Sequence, residues 1–269
     1  MARTSIEPAD GRRRNAMFAQ LTRSPAAIRL AIVAVLLAVW EAAAGTLVDA
    51  DFLSPPTLIV ETLFSTTLVD PKIVDAILLT FYELVVAFVA SVAFGVAVGL
   101  WVGLKRETYR SVFPLILMIY AIPQVTLLPL FILVFGLGPA GKLAFGFSHG
   151  IFPLMVTIVA GCRDVNPMLI RAARSMGANE SQILRRIVLP YIVPSFFTGM
   201  RLAMTLTLLG VILAELYVST EGIGYFTQVY AETFDPAPLF ALILVLAAMA
   251  VTLNETLRRA ELRFSRWKN

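Results

Sequence analysis

The chain has 269 residues, of which 58% are hydrophobic and only 15% charged, and its mean hydropathy is +0.81. That balance excludes an ordinary soluble domain and belongs to chains that live in a bilayer. A net charge of +4 without a basic patch interleaved with aromatics argues against nucleic acid, and a lone Cys162 and a lone His149 exclude an intrachain disulfide and a Cys/His metal cluster.

Six spans of membrane length follow in chain order, at roughly 28–48, 76–104, 112–135, 142–161, 192–218 and 239–257. The first reads as an uncleaved anchor, because its apolar run is too long for a secretory signal core. The stretch 55–70 opens with Pro55-Pro56 and reads as a short helix along the outer surface. The second span carries Ala87, Ser91, Gly95, Gly99 and Gly103 at four-residue spacing, a small-residue stripe on one face where another helix can approach closely. The third and fourth hold Pro114, Pro123, Pro129 and Pro153, with Pro139 in an outer turn, Gly136-Leu137-Gly138-Pro139. Each internal proline frees a carbonyl, which a bilayer tolerates only where protein or a water-filled cavity satisfies it. Simple kinks and a solute path both remain open there. The fifth span is expected to start irregularly between Pro190 and Pro194. After it, Glu221-Gly222-Ile223-Gly224-Tyr225 reads as a turn with an exposed apolar tip.

Orientation follows from the basic residues near the span ends. Nineteen of the 22 lie on the side of the N-terminus, the 105–110 and 162–189 loops and the C-terminal tail, against Lys72 and Lys142 opposite. Both termini and the 162–189 loop are therefore expected on the cytoplasmic side. Glu41, Glu83, Arg201 and Glu215 fall inside spans, where a charge costs at least ~2.5 kcal/mol at the bilayer centre. Arg201 and Glu215 are read either as structural ion pairs or as residues lining a solute path.

The polar island between the fourth and fifth spans carries the functional signal. It runs Arg171-Ala172-Ala173, three residues, Gly177, nine residues, Ile187-Val188-Leu189-Pro190. Helix formers, one placed glycine, the basic pair Arg185 and Arg186 and a closing proline predict a short surface helix, a tight turn and a second short helix. The pattern resembles the EAA motif of ABC-importer permeases, E-A-A-x3-G-x9-I-x-L-P, with Arg171 in place of the glutamate. Phe52-Leu53-Ser54-Pro55-Pro56, Ile122-Pro123, Leu128-Pro129-Leu130-Phe131, Gly199-Met200-Arg201, Ala214-Glu215 and Gly222-Ile223-Gly224-Tyr225 resemble the branch for nitrate, sulfonate, taurine and pyrimidine precursors of thiamine.

The resemblance implies an all-α, six-helix, type I importer (MetI-like) bundle. Residues 1–27 would be a cytoplasmic segment and 28–269 the transmembrane permease domain, with a coupling loop at 162–190. It also implies a homodimer carrying two cytoplasmic ATPase subunits and served by an extracytoplasmic solute-binding protein. Arg171, Ala172, Ala173, Gly177, Ile187, Leu189 and Pro190 would couple to the ATPase, and the solute would be a small anion such as a sulfonate, taurine or nitrate. Glu83 stands where that branch often has a basic residue, so no substrate role carries over to it. The chain has no G-x-x-x-x-G-K-[ST] loop, so ATP and its chemistry are expected on the partner and no cofactor or catalytic residue here. An intramembrane enzyme finds no His/Asp, Ser/Lys or paired-carboxylate spacing. An ATP-independent secondary transporter or channel remains the alternative, although the intramembrane carboxylates are few and scattered.

Overall fold

A computed structural model describes residues 25–49 and 51–264. The basic residues Arg3, Arg12, Arg13, Arg14, Arg23, Arg266 and Lys268, and most of the 1–27 segment, lie outside the described residues. The chain folds as α1 (Pro25–Ala43), α2 (Pro56–Thr62, running on as a π turn Leu63–Thr67), α3 (Pro71–Leu104), α4 (Arg106–Tyr120) and α5 (Leu128–Phe135). It continues with α6 (Pro139–Arg163), α7 (Pro167–Ser175), α8 (Glu180–Ile183), α9 (Leu189–Val218), α10 (Ile223–Glu232) and α11 (Pro236–Phe264). Among the described residues the only β pairing is an isolated bridge, Ala44 to Val48. Among the described residues five helices are long and apolar enough to cross a membrane, and the bent pair α4–α5 makes a sixth when counted as one span.

Prolines set many of the starts. Pro56, Pro71, Pro139 and Pro167 each sit in the first helical positions, where the missing N–H has no helical partner to lose. Asp70 adds a side-chain cap to α3, accepting from the Lys72 amide at 2.9 Å.

The core is a three-helix stack of α3, α6 and α9. Leu84 and Phe88 meet Leu154 and Ile158, which meet Ala203 and Met204, and α11 covers this layer with Met249, Leu253 and Leu257. The small-residue stripe does what its spacing predicts: Ala87, Ser91, Gly95, Gly99 and Gly103 are all buried. They face Leu154, Ile158 and Cys162 of α6, so closely that a Cβ on Gly99 would stand 2.9 Å from Ile158. The outward faces of α1, α3, α9 and α11 carry exposed large apolar side chains, as a lipid-facing surface requires, whereas the central α6 exposes none. Helix α1 buries no residue and is tied only at its end, where Trp40 Nε1 donates to Ser54 O (3.1 Å) and Glu41 accepts from the Thr57 amide and hydroxyl at 3.1 and 2.6 Å.

Three expectations are corrected. The span read at 112–135 is two helices bent by 82° through a 3-10 turn, Gln124–Leu127. Pro123 lacks the donor a helix needs and forces Ile122 out of helical geometry, and Pro129 then starts a new helix. The fifth crossing does not begin irregularly: helix runs without a break from Glu180 to Val218, through a π turn at Leu184–Val188 and past Pro194. Ile223 is not an exposed tip but fully buried against Ile73 and Leu242, because the turn before α10 folds inward.

Candidate coupling hairpin and buried charge cluster

The sequence island becomes a compact hairpin of α7 and α8 at one end of the bundle. Asn166 opens α7 by accepting from the Met168 amide at 2.9 Å. Gly177 closes it at φ +82°, where a residue with a side chain would cost about 1–2 kcal/mol. The Ala178 amide then reaches Ala173 O at 3.0 Å and the Gly177 amide reaches Arg174 O at 3.0 Å, the paired bonds of a Schellman motif. Two residues on, Asn179 and Gln182 cap each other at 2.9 Å in a capping box that starts α8. Arg174 spans the turn to Glu180 at 2.8 Å. Nearly every backbone group of the turn is thus satisfied locally, and the hairpin holds its shape without a partner.

Beneath it lies a small apolar core of Val165, Ala173, Ile183, Val188 and Ile192, with Leu100 and Cys162 from the bundle. Of the motif residues, Ala173 enters this core and Ile187 and Pro190 are half-buried, whereas Arg171, Ala172, Gly177 and Leu189 are exposed. A hollow of about 360 Å³ opens between the arms, floored by Ala173 and Ile183 and rimmed by Met176, Gln182 and Arg186. Met176 is 82% exposed at its lip, and Arg171, Arg185 and Arg186 make no ion pair among the described residues. The surface is a rigid, basic, partly apolar knob.

The opposite end holds a buried charge cluster that the sequence did not assemble. Lys142 of α6 lies 2.6 Å from Glu83 of α3, with 3% and 0% of their side chains exposed. The alignment is poor for a hydrogen bond, and neither Glu83 oxygen receives one. By sequence Lys142 is only an outer-side cation at the edge of its span; burial makes it the counter-charge of Glu83. Glu215 of α9, fully buried, accepts from Thr80 Oγ1 at 2.7 Å and from the Gly224 amide at 2.8 Å, and the Ile223 amide donates to Thr80 Oγ1 at 2.9 Å. Glu215 is therefore a latch for the turn before α10 and makes no ion pair among the described residues. Gly222, at φ +100°, packs directly on the Glu215 carboxylate, leaving no room for a Cβ. Arg201 sits elsewhere, paired with Glu261 of α11 at 2.7 Å and half-exposed. The structure does not bring Arg201 and Glu215 together.

Sequence comparison agrees with this architecture. Residues 91–263 match the family described as binding-protein-dependent transport system inner membrane component. The taurine transport system permease protein TauC of Escherichia coli K12 is 30% identical over 247 residues, 89% of each chain. The putative aliphatic sulfonates transport permease protein SsuC of Bacillus subtilis 168 is 26% identical over 89% of this chain and 87% of its own. The formylaminopyrimidine transport permease protein ThiX of Halalkalibacterium halodurans is 28% identical over 87% of this chain and 92% of its own. With that coverage the secondary-transporter alternative falls away. The chain belongs to the family of inner membrane components of binding-protein-dependent transport systems, as a multi-pass permease subunit of an ABC importer whose ATPase is a separate subunit.

Proposed function

We propose that two copies of this chain form the translocation path for a small organic solute, each copy docking its α7–α8 hairpin into one of two ATPase subunits. A solute-binding protein delivers from the far side, and both termini lie on the ATPase side. The observation that supports the coupling role is the self-satisfied turn at Gly177, a rigid projection with an open hollow and arginines that make no ion pair among the described residues. A polar solute loses its hydration in hydrocarbon, so an alternately opened cavity replaces passage through lipid. ATP-driven closure of the ATPases pushes the two hairpins together and tilts the bundles outward-facing; hydrolysis resets them.

Arg171, Ala172, Gly177 and Leu189 are the exposed motif positions and form the contact surface, while Ala173, Ile187 and Pro190 set the hairpin on the bundle. Because Arg171 stands where glutamate is usual, its contact on the ATPase carries the opposite charge. Relatives are named for taurine, aliphatic sulfonates and formylaminopyrimidine, so solute class varies within this architecture.

Gly177 tests the coupling role. Asparagine tolerates the left-handed backbone and valine does not. Gly177→Asn is expected to keep ATPase co-purification and transport, and Gly177→Val to lose both while still inserting in the membrane. Full ATPase retention by Gly177→Val would remove the hairpin from the interface.

A further inference from the structure

The charged side chains buried at the end opposite the hairpin do not balance in sign. Glu83 and Glu215 are fully buried and Lys142 nearly so, which sets two carboxylates against a single ammonium. Hydrogen bonding is unequal too. Glu215 takes both nearby donors, Thr80 Oγ1 on one oxygen and the Gly224 amide on the other. Thr80 Oγ1 itself accepts from the Ile223 amide, so its one proton points to Glu215. Glu83 takes none: both of its oxygens are buried without a donor, and Lys142 is close but misaligned. The two carboxyl groups lie within hydrogen-bonding reach of each other.

A buried charge without a partner is expensive, and two carboxylates in contact do not both stay ionised. One proton resolves both defects. A protonated carboxyl keeps acceptor capacity and adds an O–H donor. Carried by Glu215, it leaves the Thr80 and Gly224 bonds in place and gives a Glu83 oxygen the donor it lacks. The Glu83 carboxylate and the Lys142 ammonium then balance.

We propose that Glu83 and Glu215 hold one proton between them, and that the turn before α10 is latched through it. A hollow of about 400 Å³ at the same end gives the proton an exit. Gly222 lines this hollow with Lys72, Asp75 and Glu221, and it also packs directly on the Glu215 carboxyl group. When the turn lifts, Glu215 meets water, its O–H bond breaks and the proton passes to a water molecule. The closed latch thus binds one more proton than the open one, so acid favours closure and rising pH favours opening. The other titratable groups around the pair are Lys142 and, two turns further in, His149 on α6; Lys72 and Asp75 at the start of α3; Glu221 in the turn; Tyr217 on α9; and Tyr225 and Tyr230 on α10. Helix α5 and the first half of α11 carry none. None of this depends on an ATPase or a solute being bound.

The test uses the full-length chain in lipid nanodiscs at neutral pH, with infrared difference spectra of the parent against Glu83→Gln and Glu215→Gln. A protonated-carboxyl C=O band that shifts in D2O is expected in the parent and lost in both variants, since removing either carboxyl group lets Lys142 balance the other without a proton. Loss in Glu215→Gln alone would mean a lone acid and overturn the sharing. No band in the parent would mean two carboxylates or a bound cation, and overturn the proposal outright. Hydrogen exchange at residues 219–226, corrected for intrinsic rates, follows the latch. Its opening constant should rise with pH by up to about tenfold per unit above the ordinary carboxylate range of about 4–5, and stay flat in Glu215→Gln. A flat opening constant in the parent would refute the latch. If a variant fails to insert, the parent alone decides: its opening constant must stop rising at the pH where its carboxyl band fades, and a mismatch overturns the link.

Discussion

Replacing Lys142 with methionine keeps the side-chain length and deletes its charge. Glu83 then loses the cation 2.6 Å away, with both of its oxygens already lacking a hydrogen-bond donor and Glu215 as a neighbour. Breaking a buried pair from one side costs about 3–5 kcal/mol, because the surviving charge is left uncompensated. That is roughly a hundred- to four-thousandfold in the ratio of folded to unfolded protein. Removing both charges is a different matter. The double variant Glu83→Gln with Lys142→Met leaves no bare charge, and such replacements are often neutral. It should therefore recover most of the loss. Denaturant unfolding of the purified chain in mixed micelles, followed by tryptophan fluorescence, gives the four corners of the cycle, and a coupling energy of at least about 2 kcal/mol is expected. If Lys142→Met alone were as stable as the parent, or the double variant fell below it, the cluster would not be the electrostatic unit described above.

Gly222→Ala places a methyl group on the Glu215 carboxylate and strains a backbone at φ +100°. A loss of at least about 2 kcal/mol is expected from strain plus a broken buried hydrogen bond. It should appear as faster hydrogen exchange at residues 219–226, with the hairpin end unaffected. Arg201→Ala breaks a half-exposed pair with Glu261 and should cost only about 0.2–1 kcal/mol, with transport retained. Lost transport at unchanged stability would instead place Arg201 against the solute.

The long helices and their stripe were legible because a bilayer enforces them. Apolar runs of fixed length and glycines four apart state burial and close approach directly, and the glycine at 177 marks a left-handed turn by residue type alone. The elbow was half-legible: prolines 123 and 129 announced breaks, but the 82° between the halves depends on how α5 packs, through Leu128 against Phe145 and Ala214. The charge cluster was not legible. Glu83, Lys142 and Glu215 lie on three helices far apart in the chain, and the residue completing the latch is a glycine amide that carries no side-chain signal. A lysine at the mouth of an apolar span facing a mid-span glutamate was the available hint.

One element joins the two ends. The helical run from Glu180 to Val218 is 39 residues, roughly 58 Å at 1.5 Å per residue, longer than the 40–45 Å of a bilayer with its headgroups. It begins at the capping box of the hairpin and carries Glu215, the outer latch, near its far end. Neither the π turn at Leu184–Val188 nor Pro194 interrupts it. On the proposed mechanism, a push at the hairpin therefore reaches the turn before α10 through a single rod packed against α3 and α6. The elbow of α4 and α5 stands beside that rod instead of within it. On that reading α9 carries the stroke from the hairpin to the Glu215 latch.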